Sequence, residues 1–105
     1  MFIRNVTMKL KANTTALEFN RIIENEILPL LRKQTGFRDE ITFVAPERSE
    51  AVAISFWETK ENCETYNKTA YPELLKIVAK VVDGTPRVET FELSNSTLHK
   101  LAAKA

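Results

Sequence analysis

The chain begins with a strict alternation. Val6, Met8 and Leu10 fall on one side and Asn5, Thr7, Lys9 and Lys11 on the other, so residues 2–11 predict a half-buried strand. In "NTTALEFNRIIENEILPLLRKQTG" the period changes. Phe19, Ile23, Ile27, Leu30 and Leu31 recur at helical spacing, Thr15 with Glu18 makes a capping-box signature, and Gly36 supplies a left-handed stop. Pro29 lies inside this pattern and predicts a kinked or split helix, because its ring removes one backbone donor.

"FRDEITFVA" and "AVAISFW" read as two strands around the polar turn "PERSE", which makes a hairpin. Thr59 can cap a second helix, "KENCETYNKT". Pro72 suits the first residue of a continuing helix with Leu74, Leu75, Val78, Val81 and Val82 facing inward. "DGTP" is expected to end that helix and "RVETFELS" to be the final strand. The order β-α-β-β-α-β predicts an α+β, ferredoxin-like domain over residues 1–95: a four-stranded antiparallel sheet with helices on one face. Residues 96–105 form a tail that could make a short helix with Leu98 and Leu101 on one side.

An antiparallel sheet covered on one side should be polar on the other. The third strand is not. Val52, Ile54 and Phe56 point one way, Ala51, Ala53, Ser55 and Trp57 the other, and neither face is charged. The second strand reads similarly in part, with Phe37, Ile41, Phe43 and Ala45 on one face and Thr42 and Val44 on the other. A second copy of the same sheet is the simplest cover, so a homodimer is expected; a strand that is merely central, with a greasy outer face, is the alternative.

Bulk properties narrow the function classes. At 105 residues the chain suits one domain, and 44% hydrophobic with 28% charged residues is ordinary globular composition. A net charge of +1 with interleaved signs offers no basic face for nucleic acid or an anionic membrane. The N-terminus lacks the apolar core of a signal peptide and no run approaches a membrane span, so no membrane role is expected. One cysteine, Cys63, permits no intrachain disulfide, and the expected compartment is the reducing cytoplasm. No metal-ligand cluster, catalytic triad or glycine-rich phosphate loop is present, so no metal or cofactor is expected. The same strand order occurs in RNA-recognition modules, but "EAVAISFW" has none of the basic residues or glycine that their third strand needs.

Three stretches resemble the antibiotic biosynthesis monooxygenase-like proteins of the dimeric α+β barrel superfamily over residues 2 to about 94. They are "ILPLLRKQTGF", a helix with a late proline running into Gly36 and Phe37; "AVAISFWETKENCETY", an apolar strand ending in Trp57 before a capped helix; and "DGTPRVETFEL". The resemblance implies a dimer with face-to-face sheets and a pocket between sheet and helices. It implies a cofactor-independent monooxygenase acting on a small aromatic or polycyclic substrate, or a non-catalytic ligand-binding or structural homodimer of the same fold.

In the family's quinone-forming oxygenases the strand-end Trp is joined by an Asn on the same strand face and a Tyr on the next helix. Here Trp57 matches, Ala53 stands where the Asn would be, and Cys63 stands near the Tyr with Tyr66 one turn on. The haem-degrading members use a helical His; its place falls near Lys76, which argues against haem.

The candidate substrate-binding residues are therefore Trp57, Tyr66, Tyr71, Ala53, Ser55 and Cys63. Each has a plainer reading. Ala51, Ala53 and Ser55 leave room for a flat ligand beside Trp57, yet a buried Trp is also an ordinary core residue. Tyr66 and Tyr71 supply pocket hydroxyls or half-buried rim positions. Cys63 reads as a small buried hydrophobe with no base to ionise it. His99, Asn62 and Asn67 read as surface residues.

Overall fold

A computed structural model describes residues 1–98. Four strands, β1 (Phe2–Leu10), β2 (Phe37–Ala45), β3 (Glu50–Trp57) and β4 (Val82–Glu92), form one antiparallel sheet in the order β2-β3-β1-β4. Helices α1 (Ala16–Ile22), α2 (Leu28–Arg32), α3 (Lys60–Thr69) and α4 (Tyr71–Val78) complete the ferredoxin-like α+β fold. His99 and Leu101, and with them most of the expected tail helix, lie outside the described residues. Among the described residues no helix is long and apolar enough to cross a membrane.

The local signals act as their chemistry requires. The Thr15 hydroxyl accepts from the Glu18 amide at 3.0 Å and opens α1. The Thr59 hydroxyl does the same for the Asn62 amide at 3.0 Å and opens α3. Pro29 splits the first helix through a π-helical turn, Ile23–Ile27, in which the Leu28 amide reaches back to the Ile23 carbonyl. Pro72 lies at the start of α4, where a missing donor is harmless.

Two expectations need correction, both at β-bulges. β4 begins at Val82 and runs through "DGTP", so Val81 and Val82 are buried without being helical. Gly84, at φ 70°, and Pro86 are tolerated because β4 is an edge strand whose register with β1 shifts between Thr7 and Lys9. In β2 the register shifts between Phe37 and Asp39, so Phe37 does not share a face with Ile41 and Phe43. It turns inward and meets Trp57 edge-on at 5.6 Å.

Gly36 locks the two halves of the chain together. It adopts φ 82°, its carbonyl accepts from the Glu58 amide at 2.8 Å, and an added Cβ would lie 2.6 Å from the Asn62 Cβ. Gly36→Ala is expected to destabilise the fold by roughly 2–4 kcal/mol through left-handed strain and displacement of the α3 cap. Urea unfolding monitored by Trp57 fluorescence measures this.

The core forms between the sheet and the helices. Val6, Met8, Leu10, Ala51 and Trp57 meet Phe19, Ile23, Ile27, Leu31, Leu74 and Val78 there. The other sheet face carries Ile3, Ile41, Phe43, Val52, Ile54 and Phe91, with Phe43 53% and Phe91 51% exposed.

Candidate functional site

Strand register lays the inward side chains in transverse rows. Phe37, Trp57 and Phe2 form one; Glu40, Ser55, Arg4 and Thr90 the next; Thr42, Ala53, Val6 and Val88 the third. The middle row is polar and lies beneath the helices.

The first row is filled. Trp57 is fully buried, stacks on Tyr66 at 4.7 Å and donates from its indole nitrogen to the Ser55 Oγ at 2.9 Å. Tyr66 in turn meets Tyr71 at 6.1 Å. The space beside Trp57 is thus occupied by side chains, which is how an indole with a satisfied N–H packs in a core.

A cavity of about 50 Å³ opens one row further on. Its polar lining is Arg4, Glu40, Ser55, Tyr66 and Tyr71, and Ala53 contributes from β3. Val6, Met8, Ile23, Ile27, Leu31, Leu74, Val78 and Pro86 supply the apolar walls. Ala53, Ser55, Tyr66 and Tyr71 therefore line one cavity. Trp57 stands behind Ser55 and Tyr66, and Cys63 faces a separate groove between α3 and β4. Ile23 and Ile27 belong to the π-helical turn, an irregular segment of a kind often found at functional sites.

Arg4 and Glu40 escaped the sequence reading. Arg4 is 1% exposed, its Nη2 donates to the Asn67 Oδ1 at 2.8 Å, and its guanidinium lies 3.9 Å from the Tyr71 ring centroid. Among the described residues it forms no ion pair, and its Nε finds no acceptor. The Tyr71 hydroxyl is likewise buried and unpartnered. The signal for Arg4 was its phase with Val6, Met8 and Leu10. Glu40 shares its inward face with Thr42 and Val44, a weaker signal than the apolar stripe that Arg4 continues.

Burial pushes the Glu40 carboxyl above its ordinary range, against the opposing effect of the Thr42 hydroxyl that donates to it. Neighbouring strands are about 4.8 Å apart, so the Glu40 and Arg4 backbones are separated by roughly 10 Å across Ser55. A base and a cation thus face one desolvated space from opposite sides. Burial also raises the Cys63 thiol and the Tyr66 phenol, with the Arg4 charge opposing both shifts. Burial thus biases Cys63 toward the neutral thiol.

A four-stranded antiparallel sheet with an inward-facing cavity beneath its helices defines a ferredoxin-like α+β domain. Its fold is that of the antibiotic biosynthesis monooxygenase proteins. The monooxygenase ActVA-Orf6 of Streptomyces coelicolor, solved with the ligand Nanaomycin D, superposes with a TM-score of 0.75 at 15% identity, over 92% of this chain and 90% of its own. SnoaB, a cofactor-independent oxygenase of Streptomyces nogalater, gives 0.68 at 12%, over 92% and 97%. NE2512 of Nitrosomonas europaea, a protein of unknown function, gives 0.71 at 16%, over 92% of each chain. Likeness at these identities shows the fold alone. No protein-family model and no curated protein matches the sequence.

Proposed function

We propose that the protein is a cofactor-independent monooxygenase for a small phenolic or enolic substrate bound in the cavity of Arg4, Glu40, Ser55 and Tyr71. The observation that carries this reading is Glu40, a partly desolvated carboxyl group that shares a largely apolar cavity with a buried guanidinium. Glu40 removes a proton from the substrate, and the positive charge of Arg4 across the same cavity favours the resulting anion. That electron-rich anion reduces O₂ directly. A CH₂ group and O₂ become a C=O group and water, so the substrate supplies all the electrons. SnoaB, described as a cofactor-independent oxygenase, and the ligand complex of ActVA-Orf6 support chemistry of this class on this fold.

The cavity sets the substrate's size. About 50 Å³ is a third of the roughly 150 Å³ of an engineered cavity that admits benzene. A single ring needs movement of the π-helical wall, and a polycycle needs more. This restriction is also what favours the second reading, a non-catalytic ligand-binding or structural dimer. Oxygen-electrode assays separate the two: small phenols and 1,3-dicarbonyl compounds are expected to consume one O₂ per substrate, and anthrone to consume none. No uptake above buffer with any of them would leave the non-catalytic role.

The apolar outer sheet face supports a homodimer, with Ile54 and Phe43 at the contact. Light scattering is expected to give twice the 12.0 kDa chain mass and Ile54→Glu to halve it. A wild-type monomer at about 100 μM would overturn the dimer, since stable homodimers associate well below that concentration. The lone buried thiol of Cys63 supports a cytoplasmic setting.

A further inference from the structure

Among the described residues, Arg4 and Tyr71 carry buried polar groups without partners, and Ser55 lies beside Arg4. The Arg4 Nε–H and the Tyr71 hydroxyl have no partner among the described residues, although both atoms are buried. Ser55 lies directly opposite Arg4 in the β1–β3 register. Its Oγ accepts from Trp57, which leaves its own proton to donate. The carboxylate of the same cavity, Glu40, is two strands away and engaged by Thr42. A buried cation with no counter-ion among the described residues, beside an unpartnered hydroxyl, calls for an anion.

The geometry narrows the kind of anion. The Tyr71 ring packs against the guanidinium at 3.9 Å and Asn67 accepts from Nη2, so the buried Nε–H is left as a donor without an acceptor among the described residues. A carboxylate can accept this N–H with one oxygen and a neighbouring hydroxyl with the other. A volume of about 50 Å³ holds three to five water-sized probes at roughly 10–15 Å³ each, enough for a carboxylate and a short apolar stub. Ile23, Ile27 and Leu74 offer the stub apolar contact.

The approach favours the same charge. Arg4 also lines the outer groove between α3 and β4, where Lys60 and Lys68 accompany it against the single carboxylate of Glu64. Arg4 therefore forms the partition between a cationic groove and the cavity, a layout that concentrates anions at its guanidinium.

We propose that the cavity is a carboxylate-binding subsite, in which a small organic monocarboxylate binds the Nε edge of Arg4 and the hydroxyls of Tyr71 and Ser55. As a statement about the substrate this rests on the oxygenase reading and adds an acid group to it. As a statement about binding it stands on its own, so the test is a binding measurement. The full chain is titrated with acetate, propionate and benzoate at constant ionic strength, against acetamide, benzamide and chloride. The readouts are the Arg4 Nε–H resonance, assigned by its loss in Arg4→Lys, and the thermal midpoint.

The carboxylates are expected to move the Arg4 resonance with Kd at or below about 10 mM, and the amides and chloride to leave it in place. Arg4→Met abolishes the response, and Tyr71→Phe weakens it roughly 3–10-fold while retaining the fold. An unmoved Arg4 resonance, equal responses to amide and carboxylate, or unaltered affinity in Tyr71→Phe each overturns the subsite, whatever the stability of Arg4→Met. Oxygen uptake with neutral phenols but no carboxylate binding sinks this proposal and spares the oxygenase reading; carboxylate binding without any uptake does the reverse.

Discussion

The Glu40→Gln variant is expected to lose roughly 10²–10⁴-fold in kcat, the range that a general base contributes, with little change in KM. Gln keeps the size and the hydrogen bond from Thr42 but cannot accept a proton from the substrate. Stability should move the other way. Burial raises the folded-state pKa of Glu40 above its unfolded value, so the folded chain holds this proton more tightly than the unfolded chain. The wild type is therefore most favoured below the ordinary carboxylate range and loses that contribution as pH rises through the raised value. Gln does not titrate, so the stability of Glu40→Gln relative to wild type should increase from pH 4 to pH 8, as paired urea titrations would measure. In the wild type, kcat/KM should rise with pH through an apparent pKa above that of an exposed glutamate. An unchanged kcat in Glu40→Gln removes Glu40 from the reaction.

Trp57→Ala should have the opposite profile. Trp57 is fully buried, and its removal takes away the stack on Tyr66, the edge contact with Phe37 and the bond to Ser55. The expected loss is about 4 kcal/mol, within the usual cost of deleting a buried Trp. The thermal midpoint should fall by roughly 15–30 °C at fixed protein concentration. Trp57→Phe keeps a ring in place and should retain kcat within about threefold, because the indole stands behind the cavity wall and touches no substrate. A selective collapse of kcat in Trp57→Phe, with stability preserved, would restore Trp57 as a pocket residue.

These contrasts show where the sequence was legible. Alternation in β1 and β3, the Thr15 and Thr59 caps, and the Pro29 interruption all act through contacts within a few residues, and each is visible in the chain. Ala53, Ser55, Tyr66 and Tyr71 were legible as a shared neighbourhood because β3 and α3 are joined by a short capped turn. The size of the space among them was not. It depends on how Tyr66 lies against Trp57, a tertiary choice without local cause.

Arg4 is the instructive case. Its position is in phase with Val6 and Met8, but a cation on an apolar stripe reads as a strand end near solvent. Only the folded sheet shows that Tyr66, Tyr71 and Asn67 close over it. Glu40 is hidden more deeply, since its in-phase neighbours Thr42 and Val44 mark its face only weakly as the inward one, and a carboxylate there reads as a solvated strand residue.

The most direct test of the account is a crystal structure with a small phenolic carboxylate, such as 4-hydroxybenzoate, soaked into the protein. The expected result is a ligand in the β1–β3 cavity, its carboxylate on Arg4 and Tyr71, its ring against a displaced Ile23–Ile27 wall, and Glu40 within hydrogen-bond reach. Density confined to the outer groove or the open sheet face, with the cavity side chains unmoved, would contradict it.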